Sequence, residues 1–143
     1  MSQELNNCFP SMFIYKHVMA QDHDRYNLKQ HFHECADFID MAIRSKGRVY
    51  VHCYRGVSRS TSAVITYLMK IKGMDFKAAK NLCRVKRPCV NPNSGFIRQL
   101  IEWQYDLIKE NRETSRKRFD DISSQLANPC NPNASQSPTK VDF

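Results

Sequence analysis

The side chains most able to do chemistry at close spacing lie in His52-Cys53-Tyr54-Arg55-Gly56-Val57-Ser58-Arg59-Ser60. A cysteine leaving a strand, a short Gly/Ser loop and the first turn of a helix together form a cradle for anions. Successive backbone N–H groups converge there, and the helix dipole favours negative charge. The same field favours a thiolate. A free cysteine ionises near about 8.5, and such settings lower that value substantially, so Cys53 is expected to be largely ionised at neutral pH. It is then a nucleophile that needs no separate base. Arg59, at the start of the helix, can return over the loop and grip two phosphate oxygens with its planar fork, which a lysine cannot do. A phosphoryl group held by the amides of Tyr54, Arg55, Gly56, Val57 and Ser58 and by Arg59 would have its charge compensated while Cys53 attacks in line.

The flanking pattern supplies the elements this cradle needs. Residues 48–51, Arg-Val-Tyr-Val, read as a strand. Residues 59–72 read as a helix whose middle, residues 63–69, is apolar almost all round, as in a buried central helix. Residues 13–19 suggest an earlier short strand. From Leu28, apolar residues recur at Phe32, Cys35, Ile39 and Ile43, one face of a helix that Gly47 would end. After Gly73, Asp75 can cap a helix with Phe76, Ala79 and Leu82 inward. Asn93 or Ser94 can cap a last one with Phe96, Leu100, Trp103 and Leu107 inward. Beyond Glu110 the apolar pattern fails. The reading is α/β, with one domain over residues 1–110 and a flexible tail over 111–143.

Composition narrows the class. A chain of 143 residues with 41% hydrophobic and 25% charged residues suits one globular domain with a tail. No apolar run approaches the ~20 residues of a membrane span. The N-terminus lacks the basic-then-apolar pattern of a secretory signal, so a cytoplasmic or nuclear protein is expected. Six cysteines without a Cys-x-x-Cys pair point to reduced thiols and not to a zinc site or a disulfide framework. A net charge of +8 suits phosphorylated protein partners, without by itself excluding other anions.

The signature His52-Cys53-x-x-Gly56-x-Ser58-Arg59-Ser60, followed by Ala63-x-x-x-x-Tyr67-Leu68-Met69 and by Arg87-Pro88-x-x-x-Asn91-Pro92-Asn93-Ser94-Gly95-Phe96, resembles the dual-specificity protein phosphatases of the cysteine-based tyrosine phosphatase superfamily. The match runs from about Phe9 to Ile108. It implies hydrolysis of phosphotyrosine and phosphoserine/threonine in signalling proteins, with protein kinases as candidate partners, through a cysteinyl-phosphate and without cofactor or metal. Neither nucleic acid nor membrane is an expected partner. An upstream aspartate would be the general acid. Asp22 and Asp24 are both candidates by position, and the family's spacing selects Asp22. By the same resemblance Ser60 would assist breakdown of the cysteinyl-phosphate, and His52 would help hold the loop and thiolate. The family's catalytic domain begins some tens of residues earlier, which implies a tyrosine-phosphatase-like sheet flanked by helices but lacking its N-terminal strands. One of those strands would lie between residues 13–19 and 48–51.

Two functions of different class follow: an active phosphatase, favoured by Cys53, Arg59 and Asp22, and a non-catalytic module that binds phosphoproteins. The cluster His31-x-His33-Glu34-Cys35 looks like a metal site, but residues two apart on a helix diverge and Cys35 belongs to the inward face.

Overall fold

Residues 59–72 have every local reason to be helical, and in the computed structural model, which describes residues 1–3 and 6–127, helix α2 occupies Arg59–Lys72. Helix α1 spans Phe32–Arg44, α3 Phe76–Lys86 and α4 Ser94–Ala127, and a 3-10 turn at Lys29–His31 leads into α1. Gly73 ends α2 with a left-handed φ of 65°, as the sequence predicts. The left-handed residue after α1 is Lys46 and not Gly47.

The chain divides into two compact units, one from Met1 to Leu107 and one beginning at Ile108. In the first, α2 packs against both α1 and α3. Ala63, Ile65 and Met69 of α2 share one core cluster with Leu28, Phe32, Cys35, Phe96, Leu100 and Trp103. Trp103 stands edge-on to Phe32, ring centroids 5.7 Å apart. Tyr67 of α2 closes a smaller cluster with Ala36 and Ile39, against which Val49 and Val51 pack. Apolar contact in both clusters is why most of α2 is buried. It is the rigid post on which the loop 53–58 is mounted.

The Asp75 carboxylate accepts from the Ala78 N–H at 2.7 Å and so caps α3. Its inner face is Phe76, Ala79 and Cys83; Leu82, expected inward, is exposed. Replacing Asp75 by alanine is expected to cost about 1 kcal/mol, read as a lower melting temperature with unchanged activity.

Two expectations are corrected. Among the described residues no β-ladder forms, so residues 13–19 and 48–51 are not strands of a sheet. Burial still alternates at Val18, Met19 and Ala20, with Met19 outward. The missing ingredient is a partner, because a strand's hydrogen bonds are made with another segment. Met1 and Ser2 stand between the two stretches. The Met1 ammonium donates to the His52 carbonyl at 2.8 Å, and the Ser2 N–H donates to the Val18 carbonyl at 3.0 Å. Two residues tie the stretches together without making a ladder.

The second correction concerns the last helix, which continues past Glu110 to Ala127. Residues 111–127 contain neither glycine nor proline, and extending an existing helix adds one hydrogen bond per residue fixed. All described side chains from Ile108 to Leu126 are exposed, Phe119, Ile122 and Leu126 at helical spacing included, so among the described residues this part of the helix has no buried face. The remainder of the expected tail, 128–143, lies outside the described residues.

Candidate active site

Cys53 is buried at the start of the loop that feeds α2. Its Sγ accepts from the Gly56 N–H at 3.3 Å and lies 3.3 Å from the Ser60 hydroxyl. Gly56 has a left-handed φ of 66°, which favours glycine, and a Cβ there would also meet the Arg87 guanidinium at 3.0 Å. Burial pushes the thiol's pKa up. The Ser60 hydroxyl and the backbone N–H groups of Ser60, Gly56 and Val57 more than offset this, and hold Cys53 below the ordinary thiol value. The contrast with the other thiols is clear: burial drives Cys35 up to about 11 and raises Cys83 as well.

The loop is strapped from outside. The Asn91 N–H donates to the Val57 carbonyl at 2.9 Å, the Asn93 N–H donates to the Ser58 hydroxyl at 3.2 Å, and the Thr61 hydroxyl donates back to Val57 at 3.0 Å. Tyr54 and Arg55 are exposed on its outer turn.

Arg59 is 3% exposed. Its Nη1 donates to the Ala20 carbonyl at 2.9 Å, and its Nε lies 3.8 Å from the Asp22 carboxylate. Asp22 is also held by Asn93, whose Nδ2 donates to its Oδ1 at 3.0 Å. Cys53 thus contacts Ser60, and Arg59 faces Asp22, the two pairs being joined through the backbone at Arg59–Ser60. Asp24 instead pairs with His23 at 3.3 Å on the surface. The His52 ring stacks on Tyr50, centroids 5.2 Å apart, and its hydrogen-bonded group is the carbonyl that Met1 reaches.

A cavity of about 390 Å³ adjoins Cys53, lined among others by His52, Arg55, Val64, Cys83 and Arg87. With Lys86 also on its wall, three cations face it, which favours anions. Among the described residues no cluster of three or more His, Cys, Asp or Glu side chains is arranged to hold a metal. His31 bonds Glu34 at 2.8 Å, His33 packs on Trp103, and Cys35 is buried. No helix of the described residues is long and apolar enough to cross a membrane.

Sequence reasoning missed Asn93 and Arg87 as site residues. Asn93 was legible only as a cap, a role it does fill by accepting from the Phe96 N–H at 2.9 Å. Its amide nitrogen serves Asp22 at the same time, a contact across 71 positions that no local pattern announces.

A thiol held below its ordinary pKa by loop amides, and a buried guanidinium facing a carboxylate, are the groups needed to bind a tetrahedral dianion and displace a group from it; of these, Cys53 lines the cavity, and Arg59 and Asp22 are not among its lining residues. Residues 2–106 match the family described as "Dual specificity phosphatase, catalytic domain". The chain is 46% identical over 99 residues to "Dual specificity protein phosphatase 1" of Arabidopsis thaliana, covering 69% of this chain and 50% of that protein. It is 42% identical over 104 residues to "MAP kinase phosphatase with leucine-rich repeats protein 3" of Dictyostelium discoideum, covering 72% of this chain and 12% of that one. The chain therefore spans half or less of these relatives' lengths. Among solved structures it resembles the human tyrosine phosphatase-like serine/threonine/tyrosine-interacting protein, with a TM-score of 0.70 and 33% identity, over 73% of this chain and 69% of that one.

Proposed function

The chain belongs to the dual specificity phosphatase family and shares the tyrosine-phosphatase-like fold of its structural neighbours, and on that premise we propose that it hydrolyses phosphotyrosine and phosphoserine/threonine in proteins through a cysteinyl-phosphate. The observation that carries this reading is the Cys53 thiol, lowered in pKa by loop amides and Ser60, one loop away from an Arg59 tied to Asp22. Residues 1–110 are taken as the catalytic domain.

In the first step the Cys53 thiolate attacks phosphorus and the P–O bond to the substrate breaks. Asp22 gives its proton to the departing oxygen. Arg59 and the loop amides hold the three equatorial oxygens. In the second step water attacks the cysteinyl-phosphate, Asp22 as carboxylate takes the water's proton, and the S–P bond breaks to release phosphate and thiolate. Ser60, 3.3 Å from the sulfur, is placed to donate to it as it leaves. His52 contributes by anchoring the loop's entry and is given no proton to move.

The name of the Dictyostelium relative supports protein kinases as one class of substrate, and a cytoplasmic or nuclear site of action is part of the same proposal. A non-catalytic phosphoprotein-binding module is the second reading, favoured by the name of the human structural neighbour, an "interacting protein". Turnover of a small aryl phosphate by the purified chain, in excess chelator, separates them: turnover supports the phosphatase, and binding without turnover supports the module.

The thiol's state gives a further prediction. Because the pKa of Cys53 is lowered, its thiolate fraction rises with pH at values below those of an ordinary thiol, and the rising limb of the rate profile should follow it. At neutral pH a thiol alkylator should label Cys53 well before Cys35 or Cys83, whose thiols burial keeps protonated. Inorganic phosphate should slow the labelling of Cys53 alone. Peptide mapping by mass spectrometry reads all three, and preferential labelling of Cys35 would overturn the assignment.

A further inference from the structure

The first turn of α4 is pressed against the loop that carries Asp22. A Cβ built on Gly95 would overlap the Asp24 carbonyl group and crowd the Asp24 Cα. Gly95 does not have a left-handed φ. It is therefore required by the closeness of another backbone and not by its own conformation. The same face of the helix grips the loop on either side of this contact. Asn93 Nδ2 donates to the Asp22 carboxylate at 3.0 Å. One turn on, Gln99 Nε2 donates to the Tyr26 carbonyl at 2.8 Å, and Gln99 Oε1 accepts from the Lys29 N–H at 2.8 Å. The segment 22–29 makes no ladder of its own, and these contacts with α4 hold both its ends.

We infer that Gly95 is a positioning residue for the general acid: by letting α4 dock directly on the backbone of Asp24, it sets the distance at which Asn93 reaches Asp22 and Asp22 faces Arg59. The inference rests on the reading of Asp22 as the acid. A side chain at position 95 must displace the loop, the helix or both, and a displacement near 1 Å at a reacting group costs on the order of a hundredfold in rate.

The test compares Gly95→Ala with the parent chain on two substrates, phenyl phosphate, whose leaving group needs a proton, and nitrophenyl phosphate, whose leaving group needs little help. The expected result is a fall in kcat of roughly ten- to a hundredfold on phenyl phosphate and under about threefold on nitrophenyl phosphate. The high-pH limb should flatten, and Gly95→Ala should add less than about threefold when placed on Asp22→Asn. Hydrogen exchange should quicken at the amides of residues 22–28 and stay unchanged in the core of α2, a readout that needs no turnover. If Gly95→Ala does not fold, Gln99→Met removes both grips of Gln99 at similar volume and should show the same leaving-group signature at smaller size. Equal losses on the two substrates, or unchanged exchange at 22–28, overturn the inference and leave the phosphatase reading standing. Full activity in Cys53→Ser instead removes the reading itself.

Discussion

Cys53→Ser is expected to abolish turnover, by ~10⁴-fold or more, while the chain still binds phosphate. The hydrogen bonds that lower the thiol's pKa, from Ser60, Gly56 and Val57, act on a group that ionises near 8.5 in isolation. An alcohol starts many decades higher, and the same bonds cannot bring it near neutral pH. The cradle itself is made of backbone and of Arg59, so binding of inorganic phosphate, measured by calorimetry, should change by no more than a few-fold. Arg59→Lys should differ in kind. It removes the planar fork that can hold two phosphate oxygens, and with it the bond to Ala20 that fixes the side chain, so both binding and turnover should fall. Full activity in Cys53→Ser would sink the cysteinyl-phosphate mechanism.

Asp22→Asn is expected to lower the rate on phosphopeptides by roughly a hundredfold or more and to cost much less on an activated aryl phosphate. Tyrosine's phenol ionises near about 10 and the alkoxides of serine and threonine are poorer leaving groups still, so these substrates depend on a donated proton. The substitution is close to isosteric. An asparagine oxygen can still accept from Asn93 Nδ2, which leaves the loop in place and isolates the loss of the proton. The sign of the pH effect follows. An acid must be protonated to act, so it sets the limb on which activity falls as pH rises, and Asp22→Asn should flatten that limb. The opposite limb, where activity rises as Cys53 ionises, should remain. Asp24→Asn should cost little with either substrate, since Asp24 pairs with His23 at the surface. A large loss that depends on the leaving group at Asp24 alone would transfer the role to that residue.

What the residues determined by themselves is local. A helix closes its hydrogen bonds four positions away, so the bounds of α2, its end at Gly73, the Asp75 cap and the inward set Phe96, Leu100 and Trp103 could all be read in order. The cradle was legible for the same reason: Cys53 and Gly56 lie in one short loop before a helix, while Ser60, which lies 3.3 Å from the sulfur, entered only through the family resemblance. Tertiary structure decided whatever required a distant partner. Residues 13–19 and 48–51 have strand-like composition, but a ladder must be supplied from elsewhere in space, and among the described residues it is Met1 and Ser2 that bridge them, without a ladder. The choice of Asp22 over Asp24 needed the family's spacing at first. In the fold the contacts that distinguish Asp22 come from Asn93 and Arg59, which lie 71 and 37 positions along the chain from it and reach it only because α4 and α2 pack on one core. Gly95 belongs to the same class, because the need for a missing Cβ is set by the backbone of Asp24, which a reading of residues 93–96 alone does not contain.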